Sequence, residues 1–157
     1  MKKNKYHVVW NEHNEKIKMK LIPSDILKSI SVYGTLETET GICEYQGVFT
    51  ETGEVLFHEG PFQDGSIKIV EFLAIVQALK YCKEKNLSIS ICSDNKYAIR
   101  CVDSRSIDME LTENDKLIDL ILQALRWLDE NDYSNKLLKW ESTIWGENPA
   151  AFGKKIK

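Results

Sequence analysis

The longest stretch of regular apolar spacing lies between residues 66 and 83. Ile69, Phe72, Leu73, Val76 and Leu79 recur at helical intervals, and Ala74, Ile75, Ala78 and Cys82 form an adjoining stripe. The spacing predicts a helix that is apolar over a wide face. A second helix is predicted over 114–131, where Leu117, Ile118, Ile121, Leu122, Leu125 and Leu128 fall on one side. Ahead of the first helix, residues 29–36, 41–50 and 55–59 read as three strands, the last two separated by a turn centred on Gly53. Strands joined by turns this short form an antiparallel meander. Residues 87–92 read as a fourth strand, 95–102 as a short helix, 105–112 as a loop and 136–140 as a fifth strand. The tail, with Trp145, Gly146, Pro149 and Phe152, is expected to end in a helical turn. Upstream of the meander, 6–10 reads as a short strand and 11–20 as a polar, charged stretch; Pro23-Ser24-Asp25 starts a helical turn that closes near Lys28. Three strands, helix, strand, helices, strand is the order of an α/β domain: a five-stranded mixed sheet, a meander plus two further strands, flanked by helices.

A length of 157 residues bounds this to one domain with a sizeable core, read as an extension over 1–28 and a folded unit over 29–157. No apolar run reaches the roughly 18 residues of a membrane span, and no signal-peptide core follows the basic start, so the expected location is the cytoplasm with no membrane partner. Cys43, Cys82, Cys92 and Cys101 are far apart, and His7, His13 and His58 are scattered, which favours buried thiols over disulfides or a zinc site. The net charge of −3 is no electrostatic footprint for nucleic acid, and the lysines at the two tips carry little weight against it.

Candidate chemistry rests on two carboxylates. Glu71 shares the helical stripe of Ala74, Ile75, Ala78 and Cys82. On an apolar stripe a carboxylate is partly desolvated and needs a cation or donors; the plainer role is to complement the positive end of its helix. Asp94 closes an apolar strand and opens a helix, which suits either a helix N-cap, a role Ser93 also fits, or a ligand at the carboxyl end of a strand. Together, a helix carboxylate and a strand-end carboxylate make half of a two-metal site, which needs roughly three or four such groups.

In this order the motifs resemble the hybrid-cleaving ribonuclease H family over about residues 29–155. Glu71-Phe72-Leu73-Ala74 is similar to the family's helix motif, and Ser93-Asp94-Asn95-Lys96-Tyr97-Ala98 to its Asp-Ser-x-x-Ala motif. The run Trp145-Gly146-Glu147-Asn148-Pro149-Ala150-Ala151-Phe152-Gly153 resembles the Trp-Gly-Glu-x-Pro-Ala-Asp-Phe-Gly ending of a bacterial subgroup. The opening Tyr6 to Trp10 faintly resembles the first strand of a small hybrid-binding domain, with too few residues after it to build one.

The resemblance implies a ribonuclease H-like fold and four acidic residues holding two Mg2+ ions that cut the RNA strand of a hybrid. Glu71 and Asp94 match two of the four. The other two positions hold Tyr33, a poor Mg2+ ligand with a phenol pKa of about 10, and Ala151, which brings no ligand. The family's hybrid-contacting asparagines fall on Ile67 and Lys68. Its first turn is replaced by Thr35-Leu36-Glu37-Thr38-Glu39-Thr40, whose glutamates repel a phosphate backbone.

Joint loss of ligands and substrate contacts implies an inactive or strongly impaired domain with weak or absent Mg2+. Its role is then to bind another macromolecule: a protein, a second copy, or weakly an RNA–DNA hybrid or other nucleic acid. The competing expectation is an active Mg2+-dependent ribonuclease H with a rearranged site, drawing on Glu37, Glu39, Glu44 or Glu147.

Overall fold

The computed structural model describes residues 4–10 and 16–152, with side chains from Ile22 onward. Strand β1 (Asn4–Trp10) pairs antiparallel with β2 (Lys16–Pro23) in a two-stranded sheet. The first strand matches the expectation; the second corrects the reading of 11–20 as merely polar. Ile17, Met19 and Leu21 alternate with lysines, a period-two signal that the lysine content hides. A helical turn, α1 (Ser24–Leu27), follows as expected.

The main sheet contains β3 (Ile30–Glu37), β4 (Ile42–Phe49), β5 (Val55–Phe62), β6 (Ile91–Ser93) and β7 (Leu137–Lys139) in the order β5-β4-β3-β6-β7. The β3–β4–β5 meander is antiparallel, while β6 runs parallel to both β3 and β7. This is the predicted five-stranded mixed α/β sheet. Strand β5 extends three residues past the predicted end, and β6 begins four residues late. The delay has a physical cause: Asn135 Nδ2 donates to the carbonyls of Leu87 and Ile89, so a side chain satisfies that backbone in place of a strand partner.

Helix α2 (Ile67–Lys85) is capped by Ser66, whose hydroxyl accepts the Ile69 N–H, and ends at Asn86 in the left-handed conformation. Its apolar residues wrap most of its circumference because it is covered on most sides. It lies on β3 and β4 and is overlaid by α3 (Lys96–Ser104) and α4 (Asp115–Glu130). Ile69, Phe72, Ile75 and Leu79 are fully buried there, with Leu117, Ile121 and Leu128 of α4. The loop after α3 tightens into a 3-10 turn at Met109–Leu111.

A second, smaller core lies on the opposite sheet face, since Cys92 and Ile91 point to opposite sides of β6. It joins Ile22, Ile26, Leu27 and Cys92 around Trp140, with Trp145 stacked edge-on at 5.0 Å. The tail's helical turn, α5 (Ser142–Trp145), therefore precedes Gly146 instead of ending the described tail. All four cysteines are free and buried. Among the described residues, no helix is long and apolar enough to cross a membrane.

Gly34 sets how closely α2 approaches β3. A Cβ there would lie 2.6 Å from Val70 Cγ2 and 3.4 Å from the Glu71 backbone nitrogen. Gly34→Ala is expected to push the helix off the strand and to destabilise the protein by roughly 1–3 kcal/mol, as overpacking does. Urea denaturation measures this; an unchanged midpoint would show that the approach is not a constraint.

Candidate active centre

The close approach at Gly34 brings Glu71 to the middle of the sheet. Glu71 is 3% exposed, and its carboxylate accepts the Gly34 N–H at 2.7 Å and the Ser93 hydroxyl at 2.9 Å. Burial pushes its pKa up to about 7; the two hydrogen bonds oppose that rise and the nearby Asp94 charge adds to it. The helix-end role considered for Glu71 is not what the geometry shows, because Ser66 caps α2 and the glutamate points at β3 and β6 instead.

Asp94 follows the last residue of β6 and is half-buried. Burial raises its pKa, while a 3.3 Å hydrogen bond from Asn148 Nδ2 and the charge of Lys139 oppose the rise. Neither Asp94 nor Ser93 is the N-cap of α3. That position belongs to Asn95, whose Oδ1 accepts the Ala98 N–H at 2.8 Å, while the Ser93 hydroxyl accepts the Asn95 N–H at 3.0 Å.

Tyr33, beside Gly34 on β3, is close enough to Asp94, Glu71 and Glu147 for their charges to raise its phenol pKa, burial being the larger cause. Its ring meets Phe152 edge-on with centroids 6.0 Å apart. Ala151 is half-buried, and its N–H donates to the Asn148 carbonyl at 2.9 Å. The four sequence-predicted positions thus gather beside the middle of β3 and the carboxyl end of β6, with two carboxylates, a phenol and a methyl group among them.

The glutamates considered as substitutes have other engagements or lie in solvent. Glu37 accepts the Thr40 hydroxyl, Glu44 faces His58 Nε2 at 2.7 Å, and Glu39 and Glu147 are exposed. Ile67 opens α2, and Lys68 sits over the Tyr97 ring at 4.5 Å. Among the described residues, no three His, Cys, Asp or Glu side chains form a group able to hold a metal ion. Two carboxylates, one of them protonating near pH 7, do not fit a two-metal centre, whose four positive charges need more anionic oxygen than this. A separate groove of about 720 Å3 runs beside α3, lined by Tyr97, Arg100, Cys101, Ser104 and Asp108 among others; neither Glu71 nor Asp94 borders it.

Sequence reasoning missed Asn148, Gln46 and His58. Asn148 is 4% exposed and bonds Asp94 and the Val32 carbonyl; Gln46 is 7% exposed and bonds the Ala150 carbonyl. Their only sequence signal is a polar residue beside apolar neighbours, which is common at exposed positions too.

No protein-family model matches the chain. It is similar to solved structures of ribonuclease H1 proteins. One, isolated from compost by a metagenomic approach, is 13% identical, with 71% of this chain and 82% of that one covered and a TM-score of 0.48. A ribonuclease H1 from the halophilic archaeon Halobacterium salinarum is 15% identical over the same shares, with a TM-score of 0.44. A second structure of the compost protein, in complex with an RNA/DNA hybrid, is 13% identical over the same shares, with a TM-score of 0.45.

Proposed function

We propose that this chain is a ribonuclease H-like domain that does not cut RNA and acts as a binding or interaction domain. The observation that carries this reading is the state of the centre. Glu71 and Asp94 come to the middle of β3 and the carboxyl end of β6, but Tyr33 and Ala151 supply no carboxylate beside them. The Glu71 oxygens already have donors in Gly34 and Ser93. Such a set holds a single hydrated Mg2+ weakly or not at all. The exposed Glu37 and Glu39 at the β3–β4 turn, with the net charge of −3, favour a protein partner or a second copy over a phosphate backbone.

The test is incubation of a labelled RNA–DNA hybrid with Mg2+ and then Mn2+, beside an active ribonuclease H1. We expect no cut. Cleavage that disappears in Glu71→Gln would replace this reading with that of an active enzyme whose site is rearranged. In a parallel binding assay at low salt, we expect little or no hybrid retained; tight retention that falls steeply with salt would make nucleic acid the partner.

A further inference from the structure

A line of buried and part-buried hydrogen bonds crosses the centre where the ribonuclease H resemblance expects cations. Asn148 donates through Nδ2 to Asp94 Oδ2 at 3.3 Å and to the Val32 carbonyl at 3.1 Å, and its Oδ1 accepts the Ala150 N–H at 2.8 Å. The Ala150 carbonyl accepts from Gln46 Nε2 at 2.8 Å. Gln46 Oε1 lies 2.9 Å from His58 Nδ1. At the far end Phe152 packs edge-on against His58, with ring centroids 4.7 Å apart, and against Tyr33. Segment 148–152 is therefore fastened to β3 and the end of β6 through Asn148, to β4 through Gln46, and to β5 through the His58 ring.

These contacts take over a task that metal ions perform in a two-metal site, which is to hold carboxylates from different elements at one point. Asp94 has the Asn148 amide; Glu71 has the Gly34 N–H and the Ser93 hydroxyl. An amide donor needs no counter-ion and is fixed in the chain, so the arrangement persists whatever cation is in solution. We infer that the carboxylate centre is a metal-independent clasp, in which Asn148 and Gln46 strap residues 148–152 across the middle of β3 and β4 and the carboxyl end of β6. The inference rests on the ribonuclease H-like reading for its contrast with a metal centre.

Amide hydrogen exchange of 148–152 and thermal melting, in EDTA, Mg2+ and Mn2+ at matched ionic strength, test this. The wild-type protein is expected to give the same exchange and the same Tm in all three. Asn148→Leu leaves Asp94 and the Val32 carbonyl without their donor and is expected to speed exchange of the strap about tenfold, with equal indifference to the cation. Gln46→Ala, which spares Asp94, is the second variant should Asn148→Leu not fold; it is expected to act in the same direction on residues 150–152. Protection or a Tm gain specific to Mg2+ or Mn2+ would overturn the clasp, and so would wild-type exchange in both variants. Hybrid cleavage without any cation-dependent protection would sink the proposed function while leaving the clasp in place, so the two failures are distinguishable.

Discussion

Between about pH 4.5 and pH 7 the protein is expected to lose stability as the pH rises, and Glu71 is expected to be the main reason. Its pKa is 4.5 in the absence of the fold and about 7 within it. The folded state thus holds this proton more tightly than the unfolded state. The resulting stabilisation is full below the unfolded value and is lost as the pH climbs through the folded one. A shift of this size corresponds to about 3 kcal/mol across the window, at roughly 1.4 kcal/mol per unit. The sign is opposite to that of a surface carboxylate in an ion pair, because burial outweighs the two donors from Gly34 and Ser93.

Glu71→Gln separates this contribution from every other titrating group. Glutamine keeps an oxygen for the Gly34 N–H and offers an amide to the Ser93 oxygen, so the variant should fold and should be at least as stable as the wild type at pH 8. Urea denaturation of both proteins at several pH values makes the comparison. Parallel curves, with the variant retaining the slope, would show that Glu71 is not the titrating group.

Trp140→Ala is expected to cost about 3–5 kcal/mol, the range for deleting a fully buried large aromatic. Trp140 is 1% exposed and belongs to the smaller core with Ile22, Ile26, Leu27 and Cys92, with Trp145 packed edge-on against it. Its Nε1 donates to the Gly146 carbonyl at 2.8 Å, so it also anchors the start of the segment that crosses the carboxylates. Two consequences should appear together: residues 22–28 lose protection from amide exchange, and so does the tail after Gly146. Trp140→Phe keeps a six-membered ring in the core but loses the rest of the indole and its hydrogen bond to Gly146, which is expected to cost about 1–3 kcal/mol, less than the alanine variant. If Trp140→Ala melts like the wild type, the small core contributes nothing and residues 22–28 do not depend on it.

The predicted dependence of 22–28 on Trp140 concerns a part of the chain that sequence reading treated as a separate extension. Ile22, Ile26 and Leu27 are buried against Cys92 and Trp140, which come from β6 and from the residue after β7. Nothing in the spacing of residues 16–28 announces such distant partners. The lysine-rich strand β2 was missed for a related reason: its alternating apolar residues are interrupted by charge, and pairing with β1 is what settles its conformation.

The order of elements along the chain, the long helix and the placing of Glu71 on that helix and Asp94 at a strand end were legible because periodicity and turn chemistry are local. A helix such as α2, apolar over most of its surface, has to lie between a sheet and other helices, and β-branched runs broken by glycine turns have to pair as a meander. Periodicity says nothing about Tyr33 and Ala151; only the ribonuclease H resemblance singled them out, as positions where that family carries acidic residues. Only the tertiary structure decided what the two remaining carboxylates touch. The missing Cβ of Gly34 lets α2 come close enough for Glu71 to take a backbone N–H from β3, and a return of the chain more than 50 residues later sets Asn148 against Asp94. Both contacts join residues far apart in sequence, and the energies that select them, burial of a charge and satisfaction of its oxygens, depend on the surroundings instead of on the residue or its neighbours in the chain.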